Sequence, residues 1–200
     1  EVSVAAQNAQ LTVNNVALEN SSNTISDALE NITLNLNDVT TGNQTLTITQ
    51  DTSKAQTAIK DWVNAYNSLI DTFSSLTKYT AVDAGADSQS SSNGALLGDS
   101  TLRTIQTQLK SMLSNTVSSS NYKTLAQIGI TTDPSDGKLE LDADKLTAAL
   151  KKDASGVGAL IVGDGKKTGI TTTIGSNLTS WLSTTGIIKA ATDGVSKTLN

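Results

Sequence analysis

Two stretches of the chain carry residue types at spacings that invite a test for ligand chemistry. The first, DPSDGKLELDADK at 133–145, has the acidic density of a calcium-binding loop. Such a loop needs oxygen ligands at its first, third, fifth and twelfth positions and a glycine at the sixth. With Gly137 in the sixth position, the first falls on Thr132, the third on Pro134 and the twelfth on Ala143, so the ligand pattern fails. A hairpin turn at DPSDG followed by a helix cap at Asp142 accounts for the same residues. The second, GDGKKTG at 163–169, has the look of a phosphate-binding loop, but the glycine required five residues before Gly165 is Leu160. A solvated linker is the simpler reading.

Carboxylate pairs can hydrolyse glycosidic bonds when they share a cleft and burial raises one pKa. Asp142 and Asp144 read as residues at a helix start, and Asp83 and Asp87 fall in a polar loop. Histidine and cysteine are absent from the sequence, which removes imidazole bases, thiol nucleophiles, disulfides and the commonest zinc ligands. Asn20, Asn31, Asn43 and Asn177 each begin an N-x-[ST] triplet, a chance outcome in a chain this rich in Asn, Ser and Thr. No catalytic, cofactor-binding or metal-binding residue is therefore assigned, and the chain is not expected to be an enzyme.

The elements that would have to position any site are organised around residues 51–80. Ile59, Tyr66 and Phe73 recur every seven residues, as do Trp62, Leu69 and Leu76, with Val63 and Ile70 between them. These positions form one stripe of a helix of about eight turns, with Lys60, Asn64, Asn67, Asp71 and Ser74 facing away. Thr52 or Ser53 is its expected cap. A second helix is expected over 99–117, capped by Asp99 or Ser100, with Leu102, Ile105, Leu109, Met112 and Leu113 on its apolar face and Leu97 stapled against its first turn. Residues 81–94 between the two read as a mobile polar loop. Strand-like sequence at 128–132 and 138–141 predicts a small hairpin. A helix from Asp142 to Lys152 follows, with Leu146, Ala149 and Leu150 inward. Gly156–Gly169 reads as a glycine-punctuated connection. Ile170, Ile174, Leu178, Trp181 and Leu182 share a further helical face, and Ile188, Ala191, Val195 and Leu199 continue the spacing. Trp62, Leu69 and Phe73 are expected to be buried against the 99–117 and 170–183 helices.

Residues 1–50 alternate apolar and polar side chains. Ala9, Leu11 and Val13 turn at Asn14-Asn15 into Val16-Ala17-Leu18. Ile32, Leu34 and Leu36 turn at Thr41-Gly42-Asn43 into Leu46 and Ile48. Ser22–Leu29 between these hairpins reads as a single capped helical turn. The fold class is thus α+β: an antiparallel β segment at 1–50, part of a larger β domain, then a helical bundle at 51–200 with a hairpin at 128–141. The chain, expected to begin mid-protein, has a net charge of −5 and no basic run, which argues against nucleic acid or an anionic membrane as partner. No apolar stretch reaches the roughly eighteen residues of a membrane-spanning helix.

Several stretches together carry a family resemblance. AQNAQLTVNNV at 6–16 with SSNTISDALENITLNL at 21–36 resembles a segment that recurs in flagellar axial proteins. WVNAYNSLIDTFSSLTKYT at 62–80, NGALLGDSTLRTIQTQL at 93–109 and LAQIGITTDPSDGKLELDADKLTAALKKD at 125–153 resemble consecutive parts of the bacterial flagellar filament cap (hook-associated protein 2) family, in its C-terminal half and in the family's order. The terminal coiled coils of that family have no counterpart here. The resemblance implies a structural cap at the distal end of the filament that promotes folding and insertion of exported flagellin. It implies a ring of identical subunits, contacts with flagellin and hook–filament junction proteins, an export chaperone bound through segments outside this chain, and an extracellular location at the flagellum tip after type III export. Within it, 51–200 corresponds to the family's helical D1 domain and 1–50 to the end of an outer β domain. A surface adhesin or glycan-binding module is the alternative reading, compatible with Asn/Thr-rich strands.

Overall fold

The computed structural model describes residues 6–30, 32–47, 50–85, 87–115, 117 and 121–199. The fold is mixed α+β, and the chain divides into two compact units, Glu1–Thr49 and Gln50–Asn200.

Among its described residues the first unit holds two antiparallel hairpins. Strands β1 (Ala9–Val13) and β2 (Val16–Asn20) pair from Val13↔Val16 outward. Their two-residue turn has positive φ at both Asn14 (52°) and Asn15 (66°), the geometry that matches a type I′ turn to strand twist and that asparagine tolerates. Strands β3 (Thr24–Leu29) and β4 (Ile32–Asn35) form the second hairpin, with Ile25 opposite Leu34 and a bulge before Leu29↔Ile32. This corrects the helical turn expected at Ser22–Leu29. The Ser22 amide donates to Asn20 Oδ1 at 2.8 Å and the Thr24 amide to Ser22 Oγ at 3.0 Å, so the capping residues shape a turn into a strand. The Asn23 carbonyl then accepts from the Leu36 amide at 2.8 Å. Among the described residues of this unit, Ile25, 2% exposed, is the buried apolar side chain. The return strand expected through Leu46 and Ile48 is also corrected: β4 takes the preceding strand as partner, Leu46 lies outside any strand and exposed, and Ile48 lies outside the described residues.

Among its described residues the second unit holds five α-helices and a hairpin. Helix α1 (Ser53–Leu76) presents three apolar columns. Ile59, Tyr66 and Phe73 are buried, Val63 and Ile70 are buried, and Trp62, Leu69 and Leu76 are half-buried against the same core. The expected burial of Trp62 and Leu69 is thus only partial. The Thr52 hydroxyl accepts from the Gln56 side chain, and the carboxylate of Asp51 takes the Ser53 amide at 2.9 Å, a first-turn role the sequence reading gave to Thr52 or Ser53. The helix ends at Leu76 and not near Thr80. There the chain folds back, with the Leu96 amide donating to Leu76 O (2.9 Å) and the Gly94 amide to Lys78 O (2.7 Å). A Cβ on Gly94 would stand 2.2 Å from Leu76 O, so only glycine admits this approach.

Helix α2 (Ser100–Ser114) is capped by Asp99, whose Oδ1 accepts from the Leu102 amide at 2.7 Å, and buries all five expected apolar residues. Leu97 is 38% exposed and does not staple it. A 3₁₀ turn (Leu125–Ile128) leads into β5 (Ile130–Thr132), paired antiparallel with β6 (Leu139–Leu141). Helix α3 (Ala143–Ile161), capped by Asp142, breaks at Asp153 (φ −159°, ψ 81°). The break sits where the sequence placed the helix end, but the carboxylate of Asp153 accepts from the Gly156 amide at 2.7 Å and caps a second helical segment. Residues 156–161 are therefore helix, not connection, and Val157, Leu160 and Ile161 join the core.

Helix α4 (Ile170–Leu182) buries Ile170, Ile174 and Trp181 and half-buries Leu178, while Leu182 is 70% exposed. The Thr171 and Thr172 hydroxyls donate to Ile161 O and Val162 O, both at 2.8 Å, which ties α4 to the end of α3. Helix α5 (Ile187–Leu199) packs beside α4 and α2 and buries none of its residues.

Candidate functional site

The best-built polar contact of the helical unit joins α1 to the β5–β6 hairpin. The Asn67 side chain donates to Leu139 O at 2.9 Å and accepts from the Leu139 amide at 2.7 Å. One carboxamide thereby satisfies both backbone groups of a strand residue, as a neighbouring strand would. Tyr66 donates its hydroxyl to Gly137 O at 3.3 Å, and burial pushes that phenol's pKa upward. Lys138 pairs with Asp71 at 2.7 Å, and this carboxylate raises the lysine's pKa. Asn67 and Asp71 were expected to face away from the apolar stripe; here they fasten the hairpin. Helix α1 thus has β6 as a backbone neighbour, which the sequence reading did not give it, while its apolar stripe joins the same core as α2 and α4. No local signal marks Asn67, because its partner lies seventy-two residues downstream.

The stretches tested for ligand chemistry are committed to local structure. In 133–138 the Asp133 carboxylate accepts from the Ser135 amide and hydroxyl, both at 2.7 Å, and the Asp136 carboxylate from the Lys138 amide at 2.9 Å. Asp142 caps α3 through the Lys145 amide (3.0 Å) and faces Lys145 Nζ at 3.5 Å; the amide bond holds its carboxyl below the usual range. Asp142 and Glu140 border a shallow depression of ≈ 290 Å³ with Gly129, Thr131 and Lys145.

In the glycine-rich loop the backbone N–H groups of Lys166, Lys167 and Thr168 all donate to Asp164 Oδ1, at 2.9, 2.7 and 2.8 Å. These are the groups a phosphate would need, and the loop's own carboxylate fills the nest. The three bonds push the Asp164 pKa far below the ordinary carboxylate value. Asp83, Asp87 and Asp144 are exposed. Among the described residues no group of three acidic, histidine or cysteine side chains is placed to hold a metal ion, and no helix is long and apolar enough to cross a membrane.

What the unit offers instead is surface. Tyr79, Val82, Leu96 and Leu97 are exposed around the closure at the end of α1, and Leu182, Ile187, Ile188, Val195 and Leu199 at the end of α4 and along α5. The spacing of Ile188, Val195 and Leu199 was legible as a helical stripe, and its exposure was not.

A family model described as flagellar hook-associated protein 2 C-terminus matches residues 6–200. Flagellar hook-associated protein 2 of Escherichia coli (strain K12) is 99% identical over 200 residues, which cover 100% of this chain and 43% of that protein. The protein of the same name from Salmonella typhimurium is 53% identical over 196 residues, 98% of this chain and 42% of that one. A crystal structure of the flagellar cap protein FliD D1-D2-D3 domains from Escherichia coli matches with a TM-score of 0.67 and 92% identity, covering 97% of this chain and 51% of that chain. The chain thus spans less than half the length of the curated relatives it matches. With a family model matched over nearly its whole length, the chain belongs to the flagellar hook-associated protein 2 family, in that family's C-terminal region.

Proposed function

We propose that this chain is the C-terminal region of a protein that caps the distal end of the bacterial flagellar filament and promotes folding and insertion of flagellin beneath it. The observation that carries the reading is the match, at 92% identity over 97% of the chain, to the crystal structure of a flagellar cap protein. In this reading 51–200 is the family's helical D1 domain, and 1–50 completes an outer β domain with strands from elsewhere in the protein. The role is mechanical and not enzymatic. A helical unit with one continuous core, its hairpin fastened by Asn67 and Tyr66, supplies a rigid wall against which an incoming subunit is confined. Small polar residues and a modest net charge of −5 keep contacts with that subunit weak enough for it to move on. The complete protein assembles as a closed ring of identical subunits, meets flagellin and the hook–filament junction, is exported by the flagellar type III apparatus, and binds its export chaperone through segments outside this chain. Immunoelectron microscopy of cells producing the complete protein, tagged within residues 81–91, tests the placement. Label confined to filament tips is expected, and label only along the shaft or cell body would contradict it.

A further inference from the structure

Asn93-Gly94 is the one Asn-Gly pair in the sequence. In an unfolded chain this pair is chemically labile, because the glycine amide is the least hindered of backbone nucleophiles. Once solvent base removes its proton, Gly94 N attacks Asn93 Cγ, ammonia leaves carrying a proton from water, and a five-membered imide forms. Water then opens either carbonyl of the ring, giving aspartate or an isoaspartyl linkage in which the main chain runs through Cγ. The net change is amide plus water to carboxylic acid plus ammonia.

The fold holds both reacting groups. The Gly94 N–H, whose proton must leave, donates to Lys78 O at 2.7 Å. Asn93 Oδ1 accepts from the Thr80 amide at 2.7 Å, its Nδ2 donates to Gln89 Oε1 at 3.4 Å, and its own amide donates to Ser90 O at 3.2 Å. The half-buried side chain is therefore held on Thr80 and Gln89. The site is also the closure of α1, where Gly94 lies so near Leu76 O that even a Cβ has no room. An isoaspartyl linkage inserts one more carbon into the main chain between this glycine and Asn93. We infer that folding of residues 78–96 silences a deamidation site at Asn93-Gly94, and that isoaspartate formed there before folding prevents the closure at the end of α1.

The test follows ammonia loss from the full-length protein in mildly alkaline buffer, folded or unfolded in guanidinium. The tryptic peptide 79–103, in which Asn93 is the sole asparagine, reports the change by mass spectrometry. Deamidation in the folded protein is expected to be at least about tenfold slower, the protection that a local opening free energy of ~1.4 kcal/mol gives. Equal rates overturn the silencing, as does a faster reaction in the folded state, the result if the Thr80 N–H activated the amide carbonyl. Slow reaction in both states shows that the pair is not labile and overturns the premise. The unfolded, aged protein is then separated into its aspartyl and isoaspartyl forms and refolded. The isoaspartyl form is expected to melt below the aspartyl form, and coincident melting overturns the second half of the inference.

Discussion

Replacing Asn67 by alanine removes two hydrogen bonds at once and leaves both backbone groups of Leu139 without their partner. The expected cost is about 1–3 kcal/mol in chemical denaturation, the range for a desolvated polar group deprived of its bond. A change within error would mean that water takes the amide's place. Asp71→Asn, which breaks a largely exposed ion pair to Lys138, should destabilise the fold clearly less than Asn67→Ala in the same denaturation. At this scale the sequence was least legible. A polar residue on a helix reads as solvent-facing unless the distant strand it serves is known, and nothing around Asn67 announces Leu139. Asp164 was similar: spacing excluded a phosphate loop, but only the fold shows its carboxylate accepting three amides. That carboxyl has a lower pKa folded than unfolded, so in acid the unfolded chain binds more protons. Its contribution is present above the unfolded carboxylate pKa and fades as pH falls below it toward the folded value. Asp164→Asn should therefore lower stability at neutral pH and flatten the acid loss, measured by denaturation across an acid pH series. Parallel curves for the two proteins would assign the acid loss to other groups.

Among the elements, α1 shows how far periodicity reaches. Its seven-residue spacing named the stripe, but only packing sorts the columns, because Trp62, Leu69 and Leu76 lie at its edge. Leu109 of α2 is 0% exposed, so Leu109→Ala should cost ~2–5 kcal/mol through lost transfer energy and a residual cavity. Leu69→Ala, at the edge of the core, should cost clearly less in the same urea titration; the reverse order would place the core elsewhere. Helix α2 was readable throughout because its cap and its apolar face are both local. Ser22–Leu29 was not, since its Ser, Asn and Thr residues serve a helix cap and a turn into a strand equally well, and pairing with β4 decides. The glycines at 156 and 158 likewise suggested a loop, yet Asp153 restarts the helix and the burial of Val157 and Leu160 holds it. The closure at the end of α1 also narrows the expected mobile loop. Gly94 and Leu96 are bonded to Lys78 and Leu76, so a broad-specificity protease should cut first within 81–91 and spare 93–97. First cuts within 93–97 would show that the closure does not hold.

For the whole molecule, the division into two units separates a β segment in which Ile25 is the buried apolar side chain among the described residues from a helical unit that carries the continuous core. The fold class was legible because alternation and helical spacing occupy different stretches of the chain. The family was legible because its motifs run in order along nearly all of it. Exposure has no such signature, which is why that of α5 emerged only from the fold. The large apolar side chains exposed on α5 are Ile187, Ile188, Val195 and Leu199. With so few anchors for a dry interface, the 200-residue chain should sediment as a monomer at micromolar concentration, and the ring proposed above is expected of the complete protein. A ring from the chain alone would place the subunit interface within it. The most direct test of the cap reading is filament growth in a cap-deficient cell supplied with the complete protein. Long filaments, with flagellin no longer shed into the medium, are the expected result. Exported and folded protein that leaves the cells without filaments would contradict it.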